Sequence, residues 1–338
     1  MDRDVIEGCL LGTALGDALG LPWEGLSAAR VARTAALGFP WPGGRGLLSD
    51  DTEHAALTAR AVGVSGGDPD AFRAALNREL RRWFLAVPPG IGFATLRACG
   101  KLCLGFREGG VRSAGNGPAM RAPVLGVAAP PDRLRALVRV STRATHTDPR
   151  AEAGAWILAL AASRARAAAP DPVGFARALQ AESEGDGLRR GLAAVVEALE
   201  AAEDGPTFAR RLGLEAGVTG FIDHTAPAAL WAWLAHAQDP ARAIEAAVRL
   251  GGDTDSVAAI TGGLAGAGCG AEALPAAWVA GLGDWPLTVP LLRATAGALA
   301  QGGQAPAPLW IGTLLRNLAF GVAIVLALPL RWLRLWPR

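Results

Sequence analysis

The chain has 338 residues, of which 51% are hydrophobic, and its formal net charge at pH 7 is +2. This length and apolar fraction are enough to bury a large core, in one big domain or two ordinary ones. The balanced charge lacks the basic excess of a nucleic-acid-binding protein, so we expect no sequence-specific nucleic-acid partner.

The cysteines and the N-terminus bear on the cellular compartment. Cys9, Cys99, Cys103 and Cys269 form no C-x-x-C pair, so we expect reduced thiols rather than a structural zinc site. The N-terminus has no cationic region before its apolar stretch, which argues against a secretory signal. Together these observations favour a cytoplasmic protein.

Helices are predicted along most of the chain, because segments rich in Ala, Leu, Arg and Glu place apolar residues at three- and four-residue spacing. Strand signals are weak: the chain has no Tyr and few alternating β-branched runs. We therefore predict an all-α, single compact domain over residues 1–300, then a linker over 301–308 and a tail over 309–338. The clearest helical segments are Phe72–Phe84, Asp132–Val140, Ala151–Ala168, Gly187–Glu203 and Pro240–Leu250.

The first predicted helix, Ile6–Leu21, carries a glycine at every fourth position, from Gly8 to Gly20. This spacing forms a stripe of small residues on which another backbone can pack closely, while Glu7 and Asp17 argue against a helix immersed in a membrane. A glycine inside a helix costs about 1 kcal/mol relative to alanine. Four of them indicate that close packing is required there.

Glu24 follows this helix, directly after Pro22-Trp23. A carboxylate that is partly buried beside an aromatic ring acquires the raised pKa of a general acid or base. The alternative is a solvated glutamate in a loop.

Two short stretches place a hydroxyl and two carboxylates at a predicted helix start. The first is Ser49–Glu53, which follows the turn-rich segment Pro42–Gly46 and precedes a helix-like run from His54 to Val62. The second is Gly251–Ser256, in which Asp253 and Asp255 follow a glycine pair and precede an apolar helix-like segment. Neither stretch has the ligand ladder of an EF-hand.

Clustered oxygen ligands of this kind suit a hard divalent cation, Mg²⁺ or Mn²⁺, and two such clusters can converge on a paired-metal site. The alternative is that the acidic residues cap their helices and are solvated. A different motif, Gly63–Gly67, formally fits G-x-S-x-G. It follows a helix-like run instead of lying between a strand and a helix, which argues against a serine hydrolase.

With these residues in view, the chain resembles the ADP-ribosylglycohydrolase family, of the dinitrogenase-reductase-activating and ADP-ribosylhydrolase type. The resemblance covers most of residues 5–265. It implies an all-α fold, a centre with two Mg²⁺ (or Mn²⁺) ions, and cleavage of the bond between ADP-ribose and an acceptor. The matching motifs, in order, are Gly8–Glu24, Ser49–His54, Gly115–Val124, Thr145–Ala151, Thr225–Trp231 and Gly251–Gly263.

The resemblance also implies roles for individual residues. Glu24 matches a family glutamate that lies beside the metals and has a ligand or acid/base role, and Glu24 and Asp255 are the predicted catalytic residues. The distal ribose and diphosphate would lie against a glycine-rich loop, whose backbone N–H groups can reach phosphate oxygens. The substrate-binding positions are Gly115, Asn116, Gly117, Met120, His146 and Gly252. The metal-binding positions are Ser49, Asp50, Asp51, Asp253, Asp255 and Ser256.

Two departures from the family pattern concern the substrate and the metal. Ser49 stands where the family usually has Thr, and either hydroxyl can bind a metal. Gly90-Ile91-Gly92 stands where members that act on arginine-linked substrates have Asp-Ile-Gly. The missing carboxylate favours a serine-linked or small-molecule ADP-ribose substrate over an arginine-linked one. The alternative to an enzyme is a non-catalytic descendant that binds ADP-ribose or metal without turnover.

The tail differs in character from the rest of the chain. Leu309–Leu330 is apolar or small apart from Arg316 and Asn317, and it is followed by Arg331–Arg338, in which cations and Trp alternate as at a membrane interface. Its uninterrupted apolar part is shorter than the roughly 20 residues that span a bilayer. Three interpretations are open: a helix packed on the domain or a partner, an interfacial membrane anchor, and a marginal single span. Two of these three interpretations associate an otherwise cytoplasmic protein with a membrane through residues 309–338.

Overall fold

A computed structural model of the chain describes residues 1–34, 36–40 and 43–332, with side chains described through residue 322. Within this part of the chain there are seventeen α-helices and one pair of two-residue antiparallel strands, so the predicted all-α fold is confirmed. The strands are β1 (Leu26–Ser27) and β2 (Gly251–Gly252). The helices are α1 (Arg3–Gly20), α2 (Ala28–Val31), α3 (Asp50–Ser65), α4 (Pro69–Phe84), α5 (Phe93–Cys103), α6 (Ala122–Ala128), α7 (Leu134–Thr145), α8 (Pro149–Ser163), α9 (Pro172–Ala181), α10 (Asp186–Glu200), α11 (Gly205–Leu212), α12 (Ile222–Leu234), α13 (Pro240–Arg249), α14 (Thr254–Cys269), α15 (Ala276–Gly281), α16 (Val289–Ala300) and α17 (Trp310–Trp332).

The centre of the domain is the contact between α1 and α14, both of which are almost completely buried. A Cβ added at any glycine of the α1 stripe would overlap the backbone of α14, so only glycine permits this approach. The packing is reciprocal, because α14 presents Gly262 and Gly266 to the backbone of α1. In chain order, Gly8, Gly12, Gly16 and Gly20 face Gly266, Gly262, Ala258 and Thr254.

This order of contacts shows that the two helices run antiparallel. The C-terminal end of α1, with Glu24 just beyond it, therefore lies beside the N-terminal end of α14, with Asp253 and Asp255. Strands β1 and β2 pair at the same place, where Gly251 and Gly252 adopt positive φ angles of 71° and 80°. The glycine stripe thus positions acidic residues that are far apart in the sequence.

By length and hydropathy alone, α1 is apolar and long enough to cross a membrane, but 83% of its apolar window is buried within the domain. It is a core helix, as the acidic Glu7 and Asp17 predicted. The thiols of Cys9 and Cys99 are buried and unpaired, and those of Cys103 and Cys269 are also free.

All five of the clearest predicted helices are present, with ends shifted by a few residues, in α4, α7, α8, α10 and α13. The structure adds helices that periodicity did not reveal, among them α12, which contains Pro227 in its interior. The predicted turn segment starts at Pro42, which lies outside the described residues; Gly43 and Gly44 that follow it have positive φ angles, as a turn requires.

The described part of the tail begins with α17, and its first half packs on the domain. The Nε1 of Trp310 donates to the carbonyl of Arg82 at 2.8 Å, and Nδ2 of Asn317 donates to the carbonyl of Ala86 at 2.9 Å. Arg316 forms ion pairs with Asp284 and Glu53 and also bonds the carbonyl of Leu48. The two polar residues that interrupt the apolar tail are therefore residues that attach it to the domain. Residues 333–338, the cationic end of the tail, lie outside the described residues.

Candidate metal centre and substrate cavity

The two predicted acidic stretches begin two helices that meet in space. Ser49 is the N-cap of α3, and Asp253 is the N-cap of α14. One carboxylate oxygen joins the two helix starts: Oδ2 of Asp51 accepts from Oγ of Ser49 at 3.3 Å and from Oγ of Ser256 at 3.2 Å. Asp51 and Ser256, which are 205 positions apart along the chain, are thus joined through this carboxylate.

A buried aspartate in α1 fixes the start of α3. Both oxygens of Asp17 accept from the backbone N–H of Ser49, at 2.9 and 3.1 Å, and one of them also accepts from the backbone N–H and the hydroxyl of Thr52. Burial raises the pKa of Asp17 to about 6, although these donors oppose the shift. A carboxylate that holds the backbone beneath candidate ligands serves as an outer-shell support for them.

The interpretation of the acidic residues as solvated helix caps does not fit the second stretch. The side chain of Asp253 makes no capping hydrogen bond to α14; instead its Oδ2 accepts from Nδ2 of Asn116 at 2.7 Å. Asp255 is only 6% exposed, and its Oδ1 accepts from the backbone N–H of Ser256. Asp255 is held in the interior, and the half-buried Asp253 is bound to Asn116 rather than to its own helix.

The electrostatics of this cluster favour a bound positive charge. Desolvation, followed by the repulsion of neighbouring carboxylates, raises the pKa values of Asp50, Asp51 and Asp255 well above the ordinary range. The Oδ1 of Asp51 is buried and has no hydrogen-bond partner among the described residues. A bound divalent cation would satisfy that oxygen and neutralise the repulsion, so the donor set fits Mg²⁺ or Mn²⁺.

Carboxylates alone do not complete the site. Among the described residues, no three acidic, histidine or cysteine side chains are arranged around a single metal position. The hydroxyls of Ser49 and Ser256, which lie against Asp51, supply further oxygen donors. This mixture of hydroxyl and carboxylate donors is what the sequence predicted.

A cavity of about 760 Å³ lies above this cluster. Of the thirteen residues predicted for the site, all line the cavity except Asp51, which lies beneath it and is 1% exposed. Glu24 is exposed where it lines the cavity, as in the solvated alternative. The structure brings these residues together, and their individual roles remain predictions.

The opposite wall of the cavity is the loop Gly115–Gly117. The backbone N–H of Asn116 donates to the carbonyl of Gly220 at 2.9 Å, and its Nδ2 also reaches Oγ1 of Thr225 at 3.1 Å. A Cβ at Gly117 would press on the imidazole ring of His146. Glycine is therefore needed for the loop to lie directly on this histidine.

His146 is held by a buried arginine behind it. Nη2 of Arg121 donates to Oγ1 of Thr145 at 2.8 Å, and the same hydroxyl lies 2.9 Å from Nδ1 of His146. Because Arg121 can only donate, the hydroxyl proton of Thr145 is free to bond Nδ1, and in that tautomer the proton of His146 lies on Nε2. Desolvation and the charge of Arg121 lower the pKa of His146 to about 3. A neutral His146 in this tautomer can donate a hydrogen bond into the cavity.

Arg121 itself is fully buried and has neutral acceptors. They are Oγ and the carbonyl of Ser141, Oγ1 of Thr145 and Nδ1 of His54. Burial lowers the pKa of Arg121 to about 10, so it still carries its proton at neutral pH. A buried positive charge without a carboxylate among these acceptors makes this wall attractive to anions.

A third side of the cavity is apolar. It is formed by the segment around Gly90, which has a φ of 77°, by Phe93, which is 74% exposed, and by Phe320 of α17. The tail thus contributes a residue to the cavity wall.

Several residues of the site were not identified from the sequence. Asp17 was noted only as an acidic residue in α1, and Arg121, Thr52 and Thr145 were not assigned any role. Asp17 did leave a signal, because it is the sole charge in the apolar run from Gly8 to Gly20. A charge inside a core helix needs buried hydrogen-bond partners, and here those partners come from Ser49 and Thr52 in the segment predicted to bind metal.

Comparison with known proteins agrees with this geometry. The profile of the ADP-ribosylglycohydrolase family matches residues 1–308, and the chain belongs to this family. A protein of Archaeoglobus fulgidus, described only as uncharacterized, is 30% identical over 296 residues, which are 83% of this chain and 92% of that protein. A solved structure described as an ADP-ribosylglycohydrolase-related protein complex is 30% identical, with a TM-score of 0.65, and the match covers 89% of this chain and 98% of that one.

Proposed function

We propose that the protein is a metal-dependent hydrolase that cleaves the glycosidic bond between ADP-ribose and an acceptor, which is a protein side chain or a small molecule. The observation that carries this proposal is the buried, unpartnered Oδ1 of Asp51 at the junction of two hydroxyl–carboxylate helix starts, beneath a cavity with a glycine-rich loop. The family to which the chain belongs supports the same class of reaction.

The floor of the cavity would hold two Mg²⁺ (or Mn²⁺) ions. When bound, these ions supply positive charge that fixes sugar hydroxyls and makes a nearby water more acidic. The chain's part is to keep the donors in place, and Asp17 does so through the backbone of Ser49 and Thr52. The residues proposed to hold the metals are Ser49, Asp50, Asp51, Asp253, Asp255 and Ser256.

The glycine-rich wall would bind the anionic part of the substrate. The backbone of Gly115–Gly117 and the Nε2–H of His146 face the cavity, with the charge of Arg121 behind them. These groups suit phosphate oxygens. Met120 and Gly252 complete the proposed substrate contacts.

Glu24 is the proposed proton-transfer residue, with Asp255 assisting from the floor. Hydrolysis adds water across the bond between the anomeric carbon and the acceptor atom: the water oxygen joins the carbon, and the acceptor leaves with a proton. The transition state resembles an oxocarbenium ion, so a carboxylate is needed to take the proton from water or to give one to the acceptor. Glu24 lines the cavity and is close enough to Asp50 and Asp255 to raise their pKa values.

The test is release of ADP-ribose from arginine-linked, serine-linked and O-acetyl substrates, each with Mg²⁺, with Mn²⁺ and with a chelator. We expect metal-dependent release from at least one substrate, and its loss in an Asp253→Ala/Asp255→Ala variant. If ADP-ribose binds but nothing is released, the protein is a non-catalytic descendant of the family. If neither occurs, the proposal is wrong.

The role of Glu24 has its own test. We expect Glu24→Gln to reduce kcat by about a hundredfold, at the low end for general acid–base catalysis, and to leave the affinity for Mn²⁺ within twofold of wild type. Full activity together with normal metal affinity would remove Glu24 from the mechanism.

A further inference from the structure

We propose that α17 is a peripheral membrane anchor, which binds a bilayer containing anionic lipids through an exposed apolar stripe and a cationic end. This proposal concerns a surface outside the family match and does not depend on the catalytic proposal. The outer stripe is defined by Ile311, Leu315, Leu318 and Val322, which are 49%, 57%, 49% and 59% exposed. Their spacing of four, three and four places them on one helix face.

The opposite face of α17 is fixed to the domain, so the outer stripe has a defined direction. Trp310 and Asn317 bond backbone carbonyls, and Arg316 pairs with buried Asp284 and Glu53. Gly312 packs closely on the ring of Trp285. The stripe therefore faces away from the core and is not an apolar surface that the rest of the described chain covers.

The attachment also limits how the tail can meet a membrane. Arg316 and Asn317 hold the first half of α17 against the domain surface, so the outer stripe there runs along that surface. An interfacial helix lies in the plane of the membrane with its apolar face inserted, and this arrangement suits such a contact.

The charge of the tail indicates what binds the outer stripe of α17. The last 54 residues, 285–338, contain five arginines and no acidic residue. Three of these arginines, with two tryptophans, fall within Arg331–Arg338, the pattern of a segment at an anionic membrane surface. A second copy of α17 would bring like charges together, without the complementary pairs that flank the seam of a coiled coil. An anionic bilayer satisfies both the apolar stripe and the cations.

The experiment is flotation of the full-length protein with vesicles of phosphatidylcholine alone and of phosphatidylcholine mixed with phosphatidylglycerol. We expect binding to the anionic vesicles to be stronger by on the order of a hundredfold, since each of the three terminal arginines contributes about fivefold. High salt should weaken it. Leu315→Glu/Leu318→Glu should reduce binding at least about tenfold.

The matched control is Leu104→Glu/Phe106→Glu, which changes two exposed apolar residues away from α17 and should leave vesicle binding unchanged. Should the stripe variant fail to fold, as judged by its thermal unfolding, Arg331→Gln/Arg334→Gln tests the cationic end and should reduce the preference for anionic vesicles to about fivefold, the contribution of the remaining Arg338. Three outcomes would overturn the proposal: no binding to either vesicle, protein that resists extraction at alkaline pH as a spanning helix does, or a dimer in solution that the stripe variant dissociates while wild type ignores vesicles.

Discussion

The floor and the glycine-rich wall of the cavity have opposite electrostatic defects. On the floor, Asp50, Asp51 and Asp255 repel one another, and their pKa values are raised. On the wall, Arg121 is buried among neutral acceptors, and the pKa of His146 is lowered to about 3. The floor favours a cation, and the wall favours an anion.

This difference supports the proposed pairing of a divalent cation on the floor with an anionic substrate on the wall. A divalent cation on the floor and a phosphate group on the wall would each supply the charge that the neighbouring residues lack. Asn116 lies between the two surfaces, since it belongs to the glycine-rich loop and donates to Asp253. The following predictions alter one surface at a time.

The largest effect is expected from Asp51→Asn on the floor. Loss of the shared carboxylate should abolish the rise of Tm with Mg²⁺ and reduce activity on the order of a thousandfold, because metal stabilisation contributes several kcal/mol. Without metal, the same variant should have a higher Tm than wild type, since one buried, repelled charge is gone. Differential scanning fluorimetry with and without Mg²⁺ measures both.

Glu53→Gln is the matched control for Asp51→Asn, because Glu53 is a buried acid two positions further along α3. Glu53 accepts from Nε1 of Trp83 at 2.6 Å and pairs with Arg316, so it faces away from the floor. We expect Glu53→Gln to lower Tm and to retain the response to Mg²⁺. If Tm responds to Mg²⁺ in the same way in both variants, Asp51 has no particular role in metal binding.

A smaller effect is expected from residues that hold the proposed metal ligands in place without binding metal themselves. Thr52→Val removes the hydroxyl that donates to Asp17 and should weaken Mn²⁺ binding about tenfold, at the low end for outer-shell changes. Thr52→Ser keeps the donor and should bind Mn²⁺ like wild type in isothermal titration calorimetry. Equal affinities for the two variants would contradict a supporting role for Asp17.

The contrast between ligands and supports also explains what the sequence could predict. Local patterns identified both acidic helix starts, since a hydroxyl, two carboxylates and a following apolar run lie within a few residues. The glycine stripe of α1 predicted close packing but not its partner, because the pairing with α14 joins residues more than 200 positions apart. No local pattern reveals such a contact.

Arg121 and Arg316 illustrate the limit more sharply. In the sequence both are ordinary arginines, yet one is buried among neutral groups and the other between two carboxylates. Only the tertiary structure decides which partners a long cationic side chain reaches. Glu24 is exposed, which is the solvated alternative that the sequence left open, because local order along the chain does not decide whether Trp23 covers it.

A smaller effect is expected where the two surfaces meet. Asn116→Ala removes the donor to Asp253 and should weaken ADP-ribose binding about fivefold in the presence of Mg²⁺, the size of one net hydrogen bond. Ser113→Ala alters the same loop without touching Asp253 and is the control. If the two variants bind ADP-ribose equally well, Asn116 does not connect the surfaces.

The smallest effect is expected for the pH dependence of stability without metal. Each proton changes the free energy of unfolding by at most about 1.4 kcal/mol per pH unit. Carboxyl groups whose pKa values are raised in the folded protein contribute their full stabilisation below about pH 4. This contribution is lost as the pH rises through the folded pKa of each group, which is about 6 for Asp17. His146 and His54, whose pKa values are lowered, act oppositely: their contribution is full above 6.5 and is lost as the pH falls. The carboxyl groups with raised pKa values outnumber these two histidines, so chelated protein should be more stable near about pH 5 than near about pH 8.

Urea unfolding at several pH values measures this decline in stability. Asp51→Asn should make the decline shallower, and His146→Gln should make it steeper. Mg²⁺ should remove most of the decline, because it replaces the protons on the floor. If neither variant alters the decline, the residues of the cavity do not cause the pH dependence of stability.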